Sequence, residues 1–131
     1  MSVRHFRNTD ARFHQYLDRQ IFVGDVVDSS ISSTMSAGYY RNLKKGDSND
    51  WIVTYDEVLV VTRGALTVRS GGAATTARPG EIIFLTKGTR LSYESAEDDT
   101  EVVYVTFPHW FEAHARSEHA ALLDAYQPAC P

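Results

Sequence analysis

Two stretches, Tyr55-Asp56-Glu57-Val58-Leu59-Val60-Val61-Thr62-Arg63-Gly64 and Arg78-Pro79-Gly80-Glu81-Ile82-Ile83-Phe84-Leu85-Thr86-Lys87-Gly88, decide the fold. Each is a run of β-branched and aliphatic residues closed by a glycine turn, which is the pattern of a strand handing over to a tight turn. The first belongs to a long β-branched and aromatic run, Trp51 to Thr62, broken by Arg63-Gly64. The second carries Glu81 to Leu85, a run apolar enough to predict burial on both sides. Working outward, Met35, Ala37 and Tyr39 alternate with Ser36, Gly38 and Tyr40, and Asn42 to Asp50 reads as a polar loop. Ala65 to Arg69, Ala73 to Ala77, Leu91 to Ser95 and Glu101 to Phe107 read as further short strands. Ser70-Gly71-Gly72 and the acidic Glu97-Asp98-Asp99 provide turns between them. Many short strands at regular spacing predict an all-β sandwich or barrel.

The two flanks read differently. Residues 1–30 scatter Phe6, Phe13, Leu17, Ile21, Phe22 and Val23 among charges, and are expected to form a strand or short helix covering a barrel built from residues 31–108. After Pro108, Trp110, Phe111, Ala113, Ala120, Leu122 and Leu123 predict an amphipathic helix over 109–126, with Gln127 to Pro131 as a frayed tail. All 131 residues are assigned to a single domain.

With 43 % hydrophobic and 23 % charged residues, the composition is that of an ordinary folded domain. A net charge of -4 argues against a nucleic-acid partner. Arg4, Arg7, Arg12 and Arg19 read as a solvated face. No apolar run reaches the roughly 18 to 20 residues of a membrane span, and the N-terminus lacks the apolar core of a signal peptide. The single cysteine, Cys130, forms no intrachain disulfide and supports a cytoplasmic assignment.

The two opening stretches resemble the two motifs of the cupins, with the metal histidines missing. Glu57 and Gly64 keep the closing six-residue gap of the first motif, but its histidine slots fall near Asp50 to Val53 and hold none. In the second, Gly80 and Gly88 keep register while Thr86 and Leu91 stand where proline and histidine are usual. The chain further resembles the cupin domain of the ethanolamine-utilisation EutQ proteins over about Ser33 to Trp110. The matching features are Met35-Ser36-Ala37-Gly38 with an aromatic after it, Trp51 ahead of Tyr55-Asp56-Glu57, and Gly64-x-Leu66-x-Val68. Pro79-Gly80, Lys87-Gly88-Thr89 and Tyr104-Val105-x-x-Pro108 complete the set. The resemblance implies a cupin-type jelly roll, a family habit of lacking the metal histidines, and acetate kinase activity as an attribution within that family. Longer EutQ proteins carry an extra N-terminal region, and the 30 or so residues before the match here leave any role of that region, such as microcompartment association, without support. Dimerisation is expected from the fold, because small cupins often close one face of the barrel against a second copy.

Of the four usual metal ligands only Glu57 remains, so neither a metal nor another cofactor is expected. The five histidines, His5, His14, His109, His114 and His119, sit near the ends of the chain. On one helix His114 and His119 would diverge by about 140°. If the cupin register holds, Glu57 points into the barrel, where a carboxylate without a metal needs hydrogen-bond donors or a proton. That makes Glu57 a candidate general acid or base, with Tyr55 beside it. The alternative is a structural pairing of Glu57 with Arg41 or with tyrosine hydroxyls. Tyr39 and Tyr93, with Tyr55, are expected to point inward and, with Arg41, to bind substrate. Lys87 and Arg90 are candidates for a rim that attracts anions, though exposure alone explains them. Ser70-Gly71-Gly72 is a hairpin turn rather than a phosphate loop, and Cys130 has no nucleophile motif around it.

The expectation is a small-molecule partner, held in the barrel and belonging to amino-alcohol or carboxylic-acid metabolism. Whether the chain is an enzyme, or a non-catalytic binding or accessory module, stays open at this point. A metal-dependent dioxygenase or isomerase with non-standard ligands is the third alternative.

Overall fold

The computed structural model describes residues 2–131. Its strands are β1 (Arg12–Tyr16), β2 (Ile21–Val27), β3 (Ser36–Asn42), β4 (Ser48–Ile52), β5 (Asp56–Arg63) and β6 (Leu66–Ser70). β7 (Ala73–Ala77), β8 (Ile82–Leu85), β9 (Arg90–Ser95), β10 (Thr100–Phe107) and β11 (Tyr126–Pro128) follow, with one α-helix, α1 (Trp110–Ala115), between β10 and β11. They form an antiparallel seven-stranded sheet, β11-β1-β2-β3-β10-β5-β8, facing a four-stranded sheet, β4-β9-β6-β7. This is the expected jelly roll, built as two facing sheets rather than one continuously closed barrel.

Alternation explains the core. On β5, Glu57, Leu59 and Val61 are buried while Val58 and Val60 are half-buried; on β10, Val102, Tyr104 and Thr106 are buried between half-buried Val103 and Val105. Ile21, Leu59, Val61, Leu66, Leu91 and Val102 fill the space between the sheets with buried tyrosines and Trp51. Each aliphatic side chain so buried contributes roughly 1.5–3 kcal/mol. The β5–β6 turn needs glycine twice over: Gly64 has φ +75, and a Cβ there would lie 2.4 Å from Thr100 Oγ1. No helix among the described residues is long and apolar enough to cross a membrane.

Four expectations are corrected. The segment before residue 31 does not merely cover the sheets: β1 and β2 are integral strands, and Ile21 is fully buried. β8 is not buried on both sides. It is the end strand of its sheet, so Ile82 and Phe84 remain 66 % and 59 % exposed. The helix over 109–126 stops after six residues, where Ser117 Oγ donates to the carbonyl of His114 at 2.7 Å. A 3-10 segment, Ala120–Ala125, follows. Finally, the supposed frayed tail contributes β11, which pairs with β1 in the register His14↔Pro128 to Tyr16↔Tyr126.

Candidate functional site

Strand alternation carries Glu57 from β5 into the space between the sheets, where it is 6 % exposed. Tyr93, on β9 of the opposite sheet, donates its hydroxyl to Glu57 Oε1 at 2.6 Å. No described residue donates to Glu57 Oε2. Burial therefore dominates: it raises the Glu57 pKa to about 7, against the opposing pull of the Tyr93 hydrogen bond. The same burial, reinforced by the negative charge of Glu57, holds the Tyr93 and Tyr55 phenols well above their ordinary value. Tyr55 is fixed by Trp51, whose indole N–H donates to the Tyr55 hydroxyl at 2.8 Å. That leaves the Tyr55 proton free to donate elsewhere.

These groups surround a cavity of about 40 Å³ whose walls include Tyr40, Asn49, Leu59, Leu66 and Tyr104. Asn49 is 1 % exposed, and its Oδ1 has no hydrogen-bond partner. Such an orphaned buried acceptor costs about 1–3 kcal/mol unless something else satisfies it. Glu57 Oε2 is thus an acceptor without a donor among the described residues, and Asn49, which also lines the cavity, carries a second, fully enclosed one.

A second carboxylate stands behind the cavity wall. Asp25 Oδ1 on β2 accepts from both the Tyr104 hydroxyl and the Trp110 indole N–H, the latter at 2.8 Å. Burial raises its pKa despite those two bonds. Tyr104 reaches Asp25 across Gly38: a Cβ on that glycine would lie 2.2 Å from the Gly24 carbonyl oxygen and 2.5 Å from the Tyr104 hydroxyl. Asp25 opens onto an external groove of about 820 Å³ between β1–β2 and the C-terminal segment. Val23, Trp110 and Tyr126 line both the groove and the inner cavity, so the wall between them is one side chain thick.

The C-terminal segment is pinned from inside by His114. Its ring is fully buried, stacks on Trp51 at 4.1 Å between centroids, and places Nδ1 3.1 Å from Thr54 Oγ1. Burial, helped by the nearby His119, lowers its pKa to about 4.

Of the residues singled out in the sequence, Glu57, Tyr55 and Tyr93 meet in this cavity. Tyr39 and Arg41 do not. On β3 the inward positions are Ser36, Gly38, Tyr40 and Asn42, so Tyr39 lies on the outer face and Tyr40 takes its place. A one-residue slip in reading an alternation exchanges the two faces of a strand. Arg41, also outward, lies 3.3 Å from Asp99 and 4.0 Å from Glu101. Lys87 and Arg90 are exposed. Asn49, Asp25, Tyr104 and Trp110 were missed as site residues; for Tyr104 the usable signal was the inward-facing glycine opposite it, Gly38.

The three-imidazole metal centre typical of cupins does not fit this cavity. No histidine lines it, and Leu91 is a buried core residue opposite Trp51. Among the described residues no group of three or more His, Cys, Asp or Glu side chains is gathered to hold an ion.

Comparison with known proteins gives the family. Solved structures of similar shape include the EutQ protein of Clostridium difficile, at TM-score 0.68 and 25 % identity over 79 % of this chain and 72 % of that one. A putative ethanolamine utilisation protein Q from Salmonella typhimurium aligns at TM-score 0.64 and 25 % identity, over 72 % of this chain and 78 % of that one. A protein of unknown function from Rhizobium leguminosarum aligns at TM-score 0.68 and 31 % identity, over 83 % of this chain and all of that one. Among curated proteins, "Acetate kinase EutQ" of Clostridioides difficile is 37 % identical over 59 residues, 45 % of this chain. The chain spans 37 % of that protein's length, and 35 % of that of its Escherichia coli counterpart, with which it is 29 % identical over 64 % of its own length. The family model described as "Ethanolamine utilisation protein EutQ" matches residues 9–112, most of the two-sheet core, and the chain accordingly belongs to the EutQ family of cupin proteins.

Proposed function

We propose that this EutQ-family cupin binds a small polar organic molecule at Glu57, and that Glu57 exchanges a proton with it. The observation that carries this reading is a buried carboxylate with a single donor, Tyr93, and a pKa raised to about 7. A group that titrates near neutrality can act as acid or base without a large penalty in either direction. Glu57 Oε2, to which no described residue donates, favours a ligand that brings a hydrogen-bond donor, such as a hydroxyl or amine. A volume of about 40 Å³ suits only the terminal group of such a molecule, since one water needs roughly 10–15 Å³ on this scale. The remainder of the ligand would lie in the external groove, its head passing between Trp110 and Tyr126. The name of the relatives, acetate kinase, adds short carboxylic acids to the candidates. Such an acid would share its proton with Glu57. The partners in this reading are small molecules rather than nucleic acid or membrane, and the compartment is the cytoplasm, where an exposed Cys130 stays reduced.

The closure of the cavity by Trp110 and Tyr126 favours a second reading, a non-catalytic binding or accessory module. The test is calorimetric titration of the full chain with amino alcohols and two- to four-carbon carboxylic acids at pH 6 and pH 8. Wild-type protein, Glu57→Gln and Tyr93→Phe would be compared. Binding that changes across a midpoint near pH 7 and is lost in Glu57→Gln supports the site. If no compound binds, or the variants bind as wild type does, the Glu57 site is wrong. Binding without any turnover of the bound compound selects the accessory module.

A further inference from the structure

Three aromatic rings, Trp110, Phe111 and Tyr126, line the external groove between β1–β2 and the C-terminal segment. Trp110 meets Phe111 at 85° with 5.7 Å between centroids, and Tyr126 at 66° with 6.2 Å. Rings so inclined form corners rather than a flat stack. Phe111 is 53 % exposed and takes no part in the core, so its ring serves as a wall of the groove. Four carboxylates, of Asp25, Asp28, Glu112 and Asp124, share the groove with one arginine, Arg12, and the imidazoles of His14 and His109. Glu112 lies 3.4 Å from His109 Nδ1, and Ser30 donates to Asp28. Asp25 takes both its donors on Oδ1, while Asp124 accepts only at its backbone carbonyl, from Gln127 at 3.4 Å. At about 820 Å³ the groove falls within the range of small-molecule sites, roughly 300–1,000 Å³.

We propose that this groove binds a small organic molecule through an alkylated ammonium head, seated in the corner made by Trp110, Phe111 and Tyr126. An ammonium whose hydrogens are replaced by methyls has no donor to satisfy, and its charge spreads over an apolar shell that fits an aromatic face. A bare ammonium needs an acceptor for each of its three N–H groups, and ring faces are poor ones. Four carboxylates against one arginine disfavour an anion and raise the local concentration of a cation. The groove ends on the wall that it shares with the inner cavity, at Val23, Trp110 and Tyr126, which suits a compact molecule better than a peptide running through. The site is separate from proton exchange at Glu57. A tetraalkylammonium ion has no proton to give and no hydrogen-bond donor for Glu57 Oε2, so either reading can fail without the other.

The test is a titration of the full chain with tetramethylammonium at constant ionic strength, followed through the indole N–H signals of Trp51 and Trp110 in proton–nitrogen correlation spectra. Tert-butanol, with the same number of heavy atoms and no charge, is the neutral comparison. Tetramethylammonium is expected to saturate with a dissociation constant of roughly 1–10 mM, and to bind about tenfold more tightly than tert-butanol. Phe111→Leu, which keeps apolar bulk and removes the ring, should weaken binding about threefold, as should Asp124→Lys, which reverses a charge. Phe107→Leu, at a comparably exposed phenylalanine outside the groove, should bind as wild type does. Phe111 and Asp124 are both exposed, so should one variant misfold the other supplies the comparison. Shifts that do not saturate by about 50 mM overturn the proposal, as do equal affinity for tert-butanol and wild-type binding by both variants. A trimethyllysine peptide that binds about tenfold more tightly than free trimethyllysine overturns the small-molecule occupant and assigns the groove to a protein tail.

Discussion

Glu57 and Glu101 are equally buried, each 6 % exposed, and the protein treats them in opposite ways. Glu101, on the outer face of β10, accepts from Asn8 Nδ2 at 3.0 Å and Thr62 Oγ1 at 2.9 Å, and has Arg63 and Arg41 at 3.9 and 4.0 Å. Glu57, between the sheets, has one phenol and no cation near it. Burial by itself therefore does not mark a functional carboxylate. What distinguishes Glu57 is burial without compensation, which leaves its charge state responsive to whatever enters the cavity.

The sharpest break of that contrast is Glu57→Gln. The folded-state pKa of about 7 lies above the usual 4.5, so Glu57 supports the fold while protonated, below about pH 4.5, and that support is lost as pH rises through 7. The loss amounts to about 3 kcal/mol at pH 8.5, at 1.36 kcal/mol per pKa unit. His114 runs the other way: with its pKa lowered to about 4, its contribution is present above pH 6.5 and falls away on acidification toward 4. Thermal melts from pH 4.5 to 8.5 should thus show Glu57→Gln gaining on wild type as pH rises. An identical pH profile for the two proteins would mean that Glu57 is not charged at a cost.

Next in size, Gly38→Ala should cost between about 1 and 3 kcal/mol in urea denaturation, because its Cβ collides with the Gly24 carbonyl and the Tyr104 hydroxyl. This change disturbs the inner side only. A neutral result would show that Tyr104 moves freely and that its bond to Asp25 does not shape the cavity. Tyr93→Phe should cost about 1.5 kcal/mol at pH 8.5, where it removes the one donor to a charged carboxylate, and less at pH 5. Equal losses at both pH values would contradict the pairing. The smallest effect, about 1 kcal/mol at low salt, is expected for Glu101→Gln, since Asp99 still holds both arginines and the amide keeps an acceptor for Asn8 or Thr62. A loss above 3 kcal/mol would place Glu101 among the main supports of the fold.

The β pattern was legible where β-branched and aliphatic runs close in glycine turns, as from Val58 to Gly64, and that sufficed for an all-β sandwich or barrel. It misled where the outer face is itself apolar. Ile82 and Phe84 read as core because local hydrophobicity cannot tell a central strand from an end strand whose outer side is uncovered. Tyr39 and Tyr40 are adjacent aromatics, and nothing local says which faces inward; Gly38, two positions before Tyr40, was the missing clue. Asp25 and Trp110 lie on distant segments and meet only through the tertiary fold. The His109 to Tyr126 segment kept helical spacing in its apolar residues, but its packing against Trp51 requires a shorter helix and a return strand.

That return strand bears on how the chain folds. β11 lies beside β1, pairing Tyr126 with Tyr16, so the first strand of the large sheet has an open edge until the segment after α1 is available. Contacts between such distant positions are slow to form, because a long loop must close before they can be made. During synthesis the two sheets could assemble with Trp51 and Tyr55 still unroofed, and Tyr126 would arrive among the latest pieces of the wall. A nascent chain stalled before Tyr126 should accordingly expose the Glu57 cavity to solvent and to chaperones.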